Sequence, residues 1–533
     1  MSEGTLALSA PIEMWRPKYN PWLIGVVVTI AAFMEVLDTS IANVALPYIA
    51  GTVGASYDES TWVLTSYLVS NAIVLPISGW IAGRIGRKRF FIGCLFMFTL
   101  SSLLCGIAPS LGLLLLFRVL QGAGGGGLQP MAQAILADTF PPEKRGLAFA
   151  LYGIVAVLGP TIGPTVGGWI TFNYSWRWIF FINLPVGIMA MFLVLRLVED
   201  PPYLERLKAA GARLDYLGIA LLTLGVGALQ ILLDKGQEDD WFGSRFILTL
   251  AIVSGVCLVS LVLWEWFRKD PVIDVRLFRD FNYSSSSLMM FMLGIVLFSS
   301  LVLLPQFLQT LLGYTAQLAG MVLTGGALVL LILIPIVGQL SSRVQVRYII
   351  AFGWLCVALA MYYSTWRIDL LISFSSVTWL RVGQVAGIGF LFVPITLASY
   401  IGMPADKSNS VAGMINFMRN IGSSVGTSIV STVLARRGQY HQNVLINHIT
   451  AGTQNFQNAA NGLTQRLVHS GLSLHDARAA AYARIYRSLQ SQAATLAYID
   501  MFWILAVVGA IMFVLSFFLK KNDPRAGGEA VAV

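Results

Sequence analysis

The sequence predicts an all-α integral membrane protein. It has two bundles of six helices with two further helices inserted between them, fourteen spans in all, and both termini in the cytoplasm. Three observations predict this. The 533-residue chain is 56% hydrophobic and 11% charged, with a mean hydropathy of +0.73, whereas soluble domains carry about 25% charged residues. The apolar residues gather in separate runs of about 20 residues, the length that crosses a bilayer as a helix. The runs before and after the middle of the chain repeat each other.

In chain order the runs cover about 22–46, 60–80, 90–107, 111–134, 146–170, 177–198, 214–233, 246–267, 285–305, 317–340, 348–366, 370–398, 409–431 and 497–520. Alternating the loops between two sides puts 22 lysines and arginines on one side. The short loops of the other hold four: Arg177, Lys235, Arg245 and Arg367. The basic side is the cytoplasmic one. This gives the net charge of +9 a topological origin, and no basic domain interleaved with aromatics offers itself to nucleic acid. The N-terminus lacks a basic stretch followed by a short apolar core and a cleavage site, so the first helix is expected to be retained. Cys94, Cys105, Cys257 and Cys356 lie inside apolar runs with neither metal nor disulfide spacing, and read as small buried residues.

These runs divide the chain into a cytoplasmic segment 1–21, a first bundle 22–198, a linker 199–284 carrying the inserted pair, a second bundle 285–520 and a cytoplasmic tail 521–533. The second bundle contains an unusual polar stretch, 432–496, expected outside. It holds all four histidines, His441, His448, His469 and His475, at spacings that match no zinc motif and suit solvated side chains. Within it, Asp476 to Gln492 reads as an amphipathic helix, part of a hairpin that caps the outer face or meets a partner.

The repeat is legible in two places. Gly79-Trp80-Ile81-Ala82-Gly83-Arg84 after the second run matches Gly338-Gln339-Leu340-Ser341-Ser342-Arg343 after the tenth. Arg118 and Gln121 in the fourth run match Arg381 and Gln384 in the twelfth, each pair followed by glycines. Two repeated six-helix halves are a transporter plan, with the substrate path between them near the midplane.

The first run carries two acids, Glu35 and Asp38, three apart and so on one helix face. A charge near the bilayer centre costs at least ~2.5 kcal/mol and marks an ion or substrate path, so this face looks at protein or water. Asp38 and Arg118 fall at equal depth, roughly 10–12 Å below the outer surface at 1.5 Å per residue, which suits an ion pair, direct or through Gln121. Two readings stand: a carboxylate that alternates between arginine and a proton, or a fixed structural pair. Glu35, with no evident arginine partner, suits a desolvated protonatable acid or contact with a cationic substrate.

In the fifth run Gly159, Gly163 and Gly167 form a small-residue stripe, with Gly168 beside it, that allows close helix contact. Pro160 and Pro164 free carbonyls in register with it, which reads as a hinge or a seal. The basic loop Gly79, Arg84, Gly86, Arg87, Lys88 is expected at the cytoplasmic surface, either orienting the chain and touching anionic lipid or latching neighbouring helix ends. Asn416, Arg419 and Asn420 form a polar cluster in the thirteenth run. No phosphate loop and no His-Glu-x-x-His is present. The run Gly124 to Gly127 lacks a lysine and is expected within a helix, so an ATP-driven pump or a membrane hydrolase is disfavoured.

Together these motifs resemble the major facilitator superfamily, and within it the fourteen-helix drug:proton antiporters of the EmrB/QacA type. Leu37 to Pro47 resembles the family's first-helix signature. Arg118-x-x-Gln121-Gly122 resembles its helix-4 motif, linked there to proton transfer. Gly159-x3-Gly163-Pro164-x-x-Gly167-Gly168-x-Ile170 resembles the antiporter motif of its exporters. Trp176 to Pro185 and Asp274 to Phe278 look like further signatures. The chain departs from the family at Gly83, where the loop usually carries aspartate. The long outer stretch and Tyr498 to Phe502 resemble the EmrB branch. That branch implies a Gram-negative inner membrane, a periplasmic adaptor protein and an outer-membrane channel as partners.

The expected function is a multi-pass, proton-driven exporter of amphipathic or hydrophobic toxic compounds that works by alternating access and needs the proton gradient but no cofactor or metal. Asp38 and Glu35 would carry the proton or contact substrate, and Arg118 would tune Asp38. The alternatives are export of one metabolite, siderophore or fatty acid on the same scaffold, or a transport-dead sensor acting through the outer stretch.

Overall fold

The computed structural model describes residues 17–201, 215–268, 270–404, 407–447 and 453–521. Most of the expected N-terminal segment, nearly all of the tail, and Arg16, Arg206, Lys208, Arg213, Lys269, His448 and Arg525 lie outside the described residues.

The first half is α1 (Pro21–Val53), α2 (Tyr57–Ile85), α3 (Arg87–Ile107), α4 (Leu111–Gly125), α5 (Leu128–Thr139), α6 (Pro142–Asn173), α7 (Trp178–Phe181) and α8 (Asn183–Leu197). Capping side chains set several starts. Asn20 accepts the Trp22 N–H ahead of Pro21, and Ser56 and Glu59 form a reciprocal capping box at α2. The fourth run, expected as one helix, breaks at Gly126-Gly127. A Cβ on Gly126 would lie 2.7 Å from the Asn71 carbonyl, and one on Gly127 2.9 Å from Phe90. The glycine run is therefore a turn pressed between α2 and α3 rather than helix interior. The sixth run breaks similarly at Ile182.

The inserted pair is α9 (Tyr216–Lys235) and α10 (Arg245–Phe267). The second half is α11 (Phe281–Thr310), α12 (Ala316–Leu340), α13 (Val346–Arg367), α14 (Phe374–Gly389), α15 (Phe392–Tyr400), α16 (Ser408–Ile446), α17 (Gln454–His469) and α18 (Leu474–Ser516). Among the described residues thirteen spans are long and apolar enough to cross a membrane, with α4–α5, α7–α8 and α14–α15 each making one. The fourteenth, α16, falls short because its buried face carries Asn409, Asn416 and Arg419. It packs between α11, α2 and α18, so that polar face meets protein.

The described residues of the polar stretch 432–496 are mainly helical and form the hairpin expected there. α16 runs on to Ile446, α18 starts at Leu474, and α17 folds back along α18 across a turn at Gly471. Asp476 to Gln492 is the first part of the 43-residue α18. His441 is not simply solvated, since its Nε2 lies 2.7 Å from Asp500 Oδ2, which also accepts from Arg437 at 2.6 Å. Cys94 and Cys105 are buried, but Cys257 and Cys356 are half-buried.

The halves meet along two seams, α2 with α16 and α6 with α12. At one end of the molecule both seams are tight. A Cβ on Gly79 would lie 2.7 Å from the Asn409 carbonyl, and one on Gly338 2.7 Å from the Gly146 carbonyl. Phe149 stacks on Tyr400 with ring centroids 5.6 Å apart. A clasp lies at the same end: Asp274 accepts from Lys407 at 3.0 Å and Arg276 at 2.9 Å, and Asp280 from Lys520 at 2.5 Å. Burial pushes Asp274 up, but Arg276 and Lys407 outweigh it and hold the carboxyl below its ordinary range.

Candidate functional site

Between the halves lies a cavity of about 1440 Å³. Its floor is near the middle of α1 and α16, and it widens towards Tyr57, Asn173, Gln309 and Gln317 at the helix ends opposite the tight seams. Glu35, Asn71, Gln129, Phe392, Arg419 and Asn420 line the floor, and Pro160, Pro164 and Gly168 line one wall.

Glu35 is 3% exposed. It accepts from Tyr67 at 3.1 Å, from Asn71 at 3.0 Å and from Gln129. As expected, no arginine among the described residues bonds Glu35 directly, but one stands a single amide away. Gln129 Oε1 accepts from Arg419, so one amide joins the acid of the first half to the cation of the second. Tyr152 donates to Gln129 at 2.7 Å and lies 3.2 Å from Asn416, whose amide donates to Gln133 at 2.7 Å. Asn420 donates to Asn71 at 3.3 Å. Asn416, Arg419 and Asn420 thus belong to one polar network with Glu35, crossing from half to half.

Asp38 sits one turn along α1, behind the cavity wall. Its Oδ2 accepts from Arg118 at 2.7 Å, and its Oδ1 from Gln121 at 2.9 Å and Asn183 at 2.7 Å. Arg118 is fully buried. It also donates to Gln121 at 2.7 Å and to the Val63 carbonyl at 3.0 Å, and lies 4.3 Å from the Tyr67 ring centroid. The ion pair is therefore both direct and supported through Gln121. In the second half Arg381 donates to Ser300 at 3.0 Å and Gln384 to Ser364 at 3.0 Å. Serine stands here where the first half has its acid, so the repeat holds in scaffold and not in charge.

The glycine stripe of α6 faces α1. A Cβ on Gly159 would lie 2.5 Å from Val36 Cγ1, one on Gly163 2.5 Å from Ser40 Cβ, and one on Gly167 2.9 Å from Ile41 Cγ2. Pro164 has no N–H for the Pro160 carbonyl, and Ser40 Oγ donates to that oxygen at 3.2 Å. Pro164 is thereby accommodated, and the helix runs unbroken through both prolines. Gly168 has room, with Val44 3.8 Å from its would-be Cβ.

The basic loop is not wholly at the surface. Arg87 is 2% exposed and pairs with Asp138 at 2.7 Å. Lys88 donates to the Leu195 carbonyl at 2.7 Å, and its backbone N–H to Asp200 at 2.8 Å. Arg84 lies 3.8 Å from the Trp80 ring centroid. Gly86, at φ +95°, makes the turn that lets α3 start there, and Gly79 lies on the α2–α16 seam. Arg87 and Lys88 join helix ends within the first half.

Sequence reasoning missed Asn183, Gln129, Gln133 and Tyr152. Asn183 is a lone amide in an apolar run. Gln129 and Gln133 are four apart, hence on one helix face, and that spacing was the signal available.

The sequence model of the Major Facilitator Superfamily matches residues 28–427. The multidrug export protein EmrB of Haemophilus influenzae is 36% identical over 500 residues, which cover 93% of this chain and 95% of that one. The fatty acid resistance protein FarB of Neisseria gonorrhoeae is 38% identical over 449 residues, covering 84% and 87%. Among solved structures, the proton:xylose symporter XylE aligns with a TM-score of 0.60 over 95% of this chain and 97% of that one. At 14% identity this is a likeness of fold.

Proposed function

The chain belongs to the major facilitator superfamily and is of its EmrB type, and from that premise we propose that it exports amphipathic or hydrophobic toxic compounds across a bacterial inner membrane in exchange for protons. The observation that carries the reading is the contrast between two acids on α1. Asp38 is saturated by Arg118, Gln121 and Asn183 behind the wall. Glu35 lines the cavity and is bonded to neutral donors only, with Arg419 one amide away. In this reading Glu35 is the acid that exchanges a proton, and the Asp38–Arg118 pair fixes the helix that presents it. Gln129 carries the charge state of Glu35 to Arg419 and so to the second half. Arg118 and Asp38 act as positioning residues.

The charge bias of the loops supports placing both termini in the cytoplasm. The cavity mouth then faces outward, and the tight seams with their Gly79 and Gly338 contacts are the closed inner side. Alternating access requires both seams to part and the mouth to close. The α6 stripe, whose glycines leave room for Val36, Ser40 and Ile41 of α1 to pack against its backbone, serves as the moving seal. The helices that continue past the spans, α16 to α18, suit docking by a periplasmic adaptor that leads to an outer-membrane channel.

A narrower reading, a dedicated exporter of one fatty-acid-like amphiphile, is favoured by Arg419 in the cavity floor and by the likeness to FarB. A panel of cationic, neutral and carboxylate compounds separates the two. The decisive measurement is efflux from cells producing wild type, Glu35→Gln or Asp38→Asn, with and without an uncoupler. Loss in Glu35→Gln and with uncoupler, at unchanged protein level, is expected. Efflux from wild type that persists under uncoupler would overturn proton coupling.

A further inference from the structure

The first helix of the inserted pair is built into the seam between the halves. α9 lies against α2, with Gly227 facing Val69 and Ile73. It also reaches α16, where Gln230 donates to Ser424 at 2.8 Å. The corner that follows is held on both sides. Asp234 accepts from Thr65, and Lys235 donates to Thr61 at 2.5 Å, both on α2. Trp241 donates to Thr432 of α16 at 3.1 Å. Asp240 and Trp241 stand at φ +55° and +47°, a backbone region that non-glycine residues rarely adopt and that persists only where surrounding contacts fix it.

One residue of this corner, Glu238, lines the cavity. Among the described lining residues three are charged: Glu35 and Arg419 on the floor, and Glu238 beside Tyr57 at the mouth. The floor pair is linked through Gln129, so its charges offset one another at short range. Glu238 is paired with Lys235 at 2.6 Å, but the two are unequally placed. The lysine side chain is 6% exposed and points back to Thr61 and the Trp62 ring, whereas the glutamate side chain is 50% exposed. The cavity therefore meets the carboxylate and not the ammonium. Other mouth residues, among them Asn173, Gln309 and Gln317, are neutral.

We propose that Glu238, carried by the inserted helix pair, is a specificity-determining residue that favours cationic amphiphiles at the cavity mouth. The inference rests on the transport reading of the cavity. It gives the inserted pair a part in substrate choice. A carboxylate on the wall of a low-dielectric cleft attracts a cation and leaves a neutral compound of the same shape unaffected.

The test is binding to the purified full-length chain in detergent, which needs no proton gradient. Tetraphenylphosphonium is compared with uncharged tetraphenylmethane-type dye of similar size, by equilibrium dialysis. Glu238→Lys is expected to weaken cation binding about tenfold and Glu238→Gln about threefold, while Glu238→Asp and the neutral compound stay within about twofold. Because Glu238 is the ion-pair partner of the buried Lys235, the thermal midpoint of each variant is measured, and Glu238→Gln, which places no like charge beside Lys235, carries the comparison where Glu238→Lys melts early. Unchanged cation affinity in Glu238→Lys, an equal loss for the neutral compound, or no cation binding by wild type would each overturn the proposal. Uncoupler-resistant efflux would overturn proton coupling and leave this inference standing.

Discussion

Asp38 and Glu35 differ by one helical turn and by everything that surrounds them. Removing Arg118 leaves Asp38 as an uncompensated buried charge, which costs about 3–5 kcal/mol. Arg118→Ala should therefore lower the thermal midpoint and the yield of folded protein sharply. Arg118→Lys should not restore them, because one ammonium cannot serve Asp38, Gln121 and the Val63 carbonyl in the geometry a guanidinium allows. Glu35→Gln is predicted to behave oppositely. Its amide oxygen can still accept from Tyr67 and Asn71, so the midpoint should hold within a few degrees while proton-driven efflux falls at least tenfold. Parallel melting and efflux curves check both. Much of this was legible beforehand: equal depth on two helices predicted the Asp38–Arg118 pair. The Glu35 network was not, because its bridge, Gln129, gains meaning only when the glycine break after α4 turns α5 towards α1.

At the scale of the element, the α1–α6 contact has no space for a methyl group at Gly159 or Gly163. Overpacking of this kind costs about 1–3 kcal/mol, so Gly163→Val should depress the thermal midpoint. Gly83→Ala, with nothing within 4 Å of its would-be Cβ, should not. The stripe was readable from its spacing, but its partner helix was not, since spacing does not say which neighbour is pressed against it. The clasp at Asp274 carries a pH prediction. Its carboxyl is held below its ordinary value, near 3.9 in the unfolded chain, so the pair stabilises fully above that value and loses its effect as pH falls through the lower folded value. The difference in thermal midpoint between wild type and Asp274→Asn should be constant between pH 6 and 8, on the order of the neutral range, and should shrink below about pH 4. The hairpin within 432–496 was read from Asp476 to Gln492, but the extension of α16 and α18 beyond the spans was not, for a simple reason. Helices that leave the membrane keep their hydrogen bonds but lose the apolar runs by which they were recognised.

Over the whole molecule, the tight seams tie the two halves at one end and leave the cavity open at the other. Gly146 and Gly338 meet backbone to backbone, so Gly338→Val cannot be accommodated while that end is closed. We expect the variant to shift towards the opposite conformation, read as a longer distance between spin labels on the α6 and α12 ends beside the seam. An unchanged distance would count against that seam as the gate. The two-bundle plan with an inserted pair was foreseen from the repeat. The placement of α9 across the α2–α16 seam was not, because lipid-facing helices share a composition wherever they lie. One feature of the architecture bears on how the chain enters the bilayer at all. Among the described residues α16 is the least apolar of the fourteen crossings, falling short of the other thirteen, and a single central arginine disfavours insertion by about 2.5–3.5 kcal/mol. Its hosts are α11 and α2, made earlier, and α18, made after it. Insertion of α16 must then be cooperative with a later helix: a nascent chain ending before Leu474 should leave α16 accessible to aqueous labelling, and synthesis of α18 should draw it into the membrane.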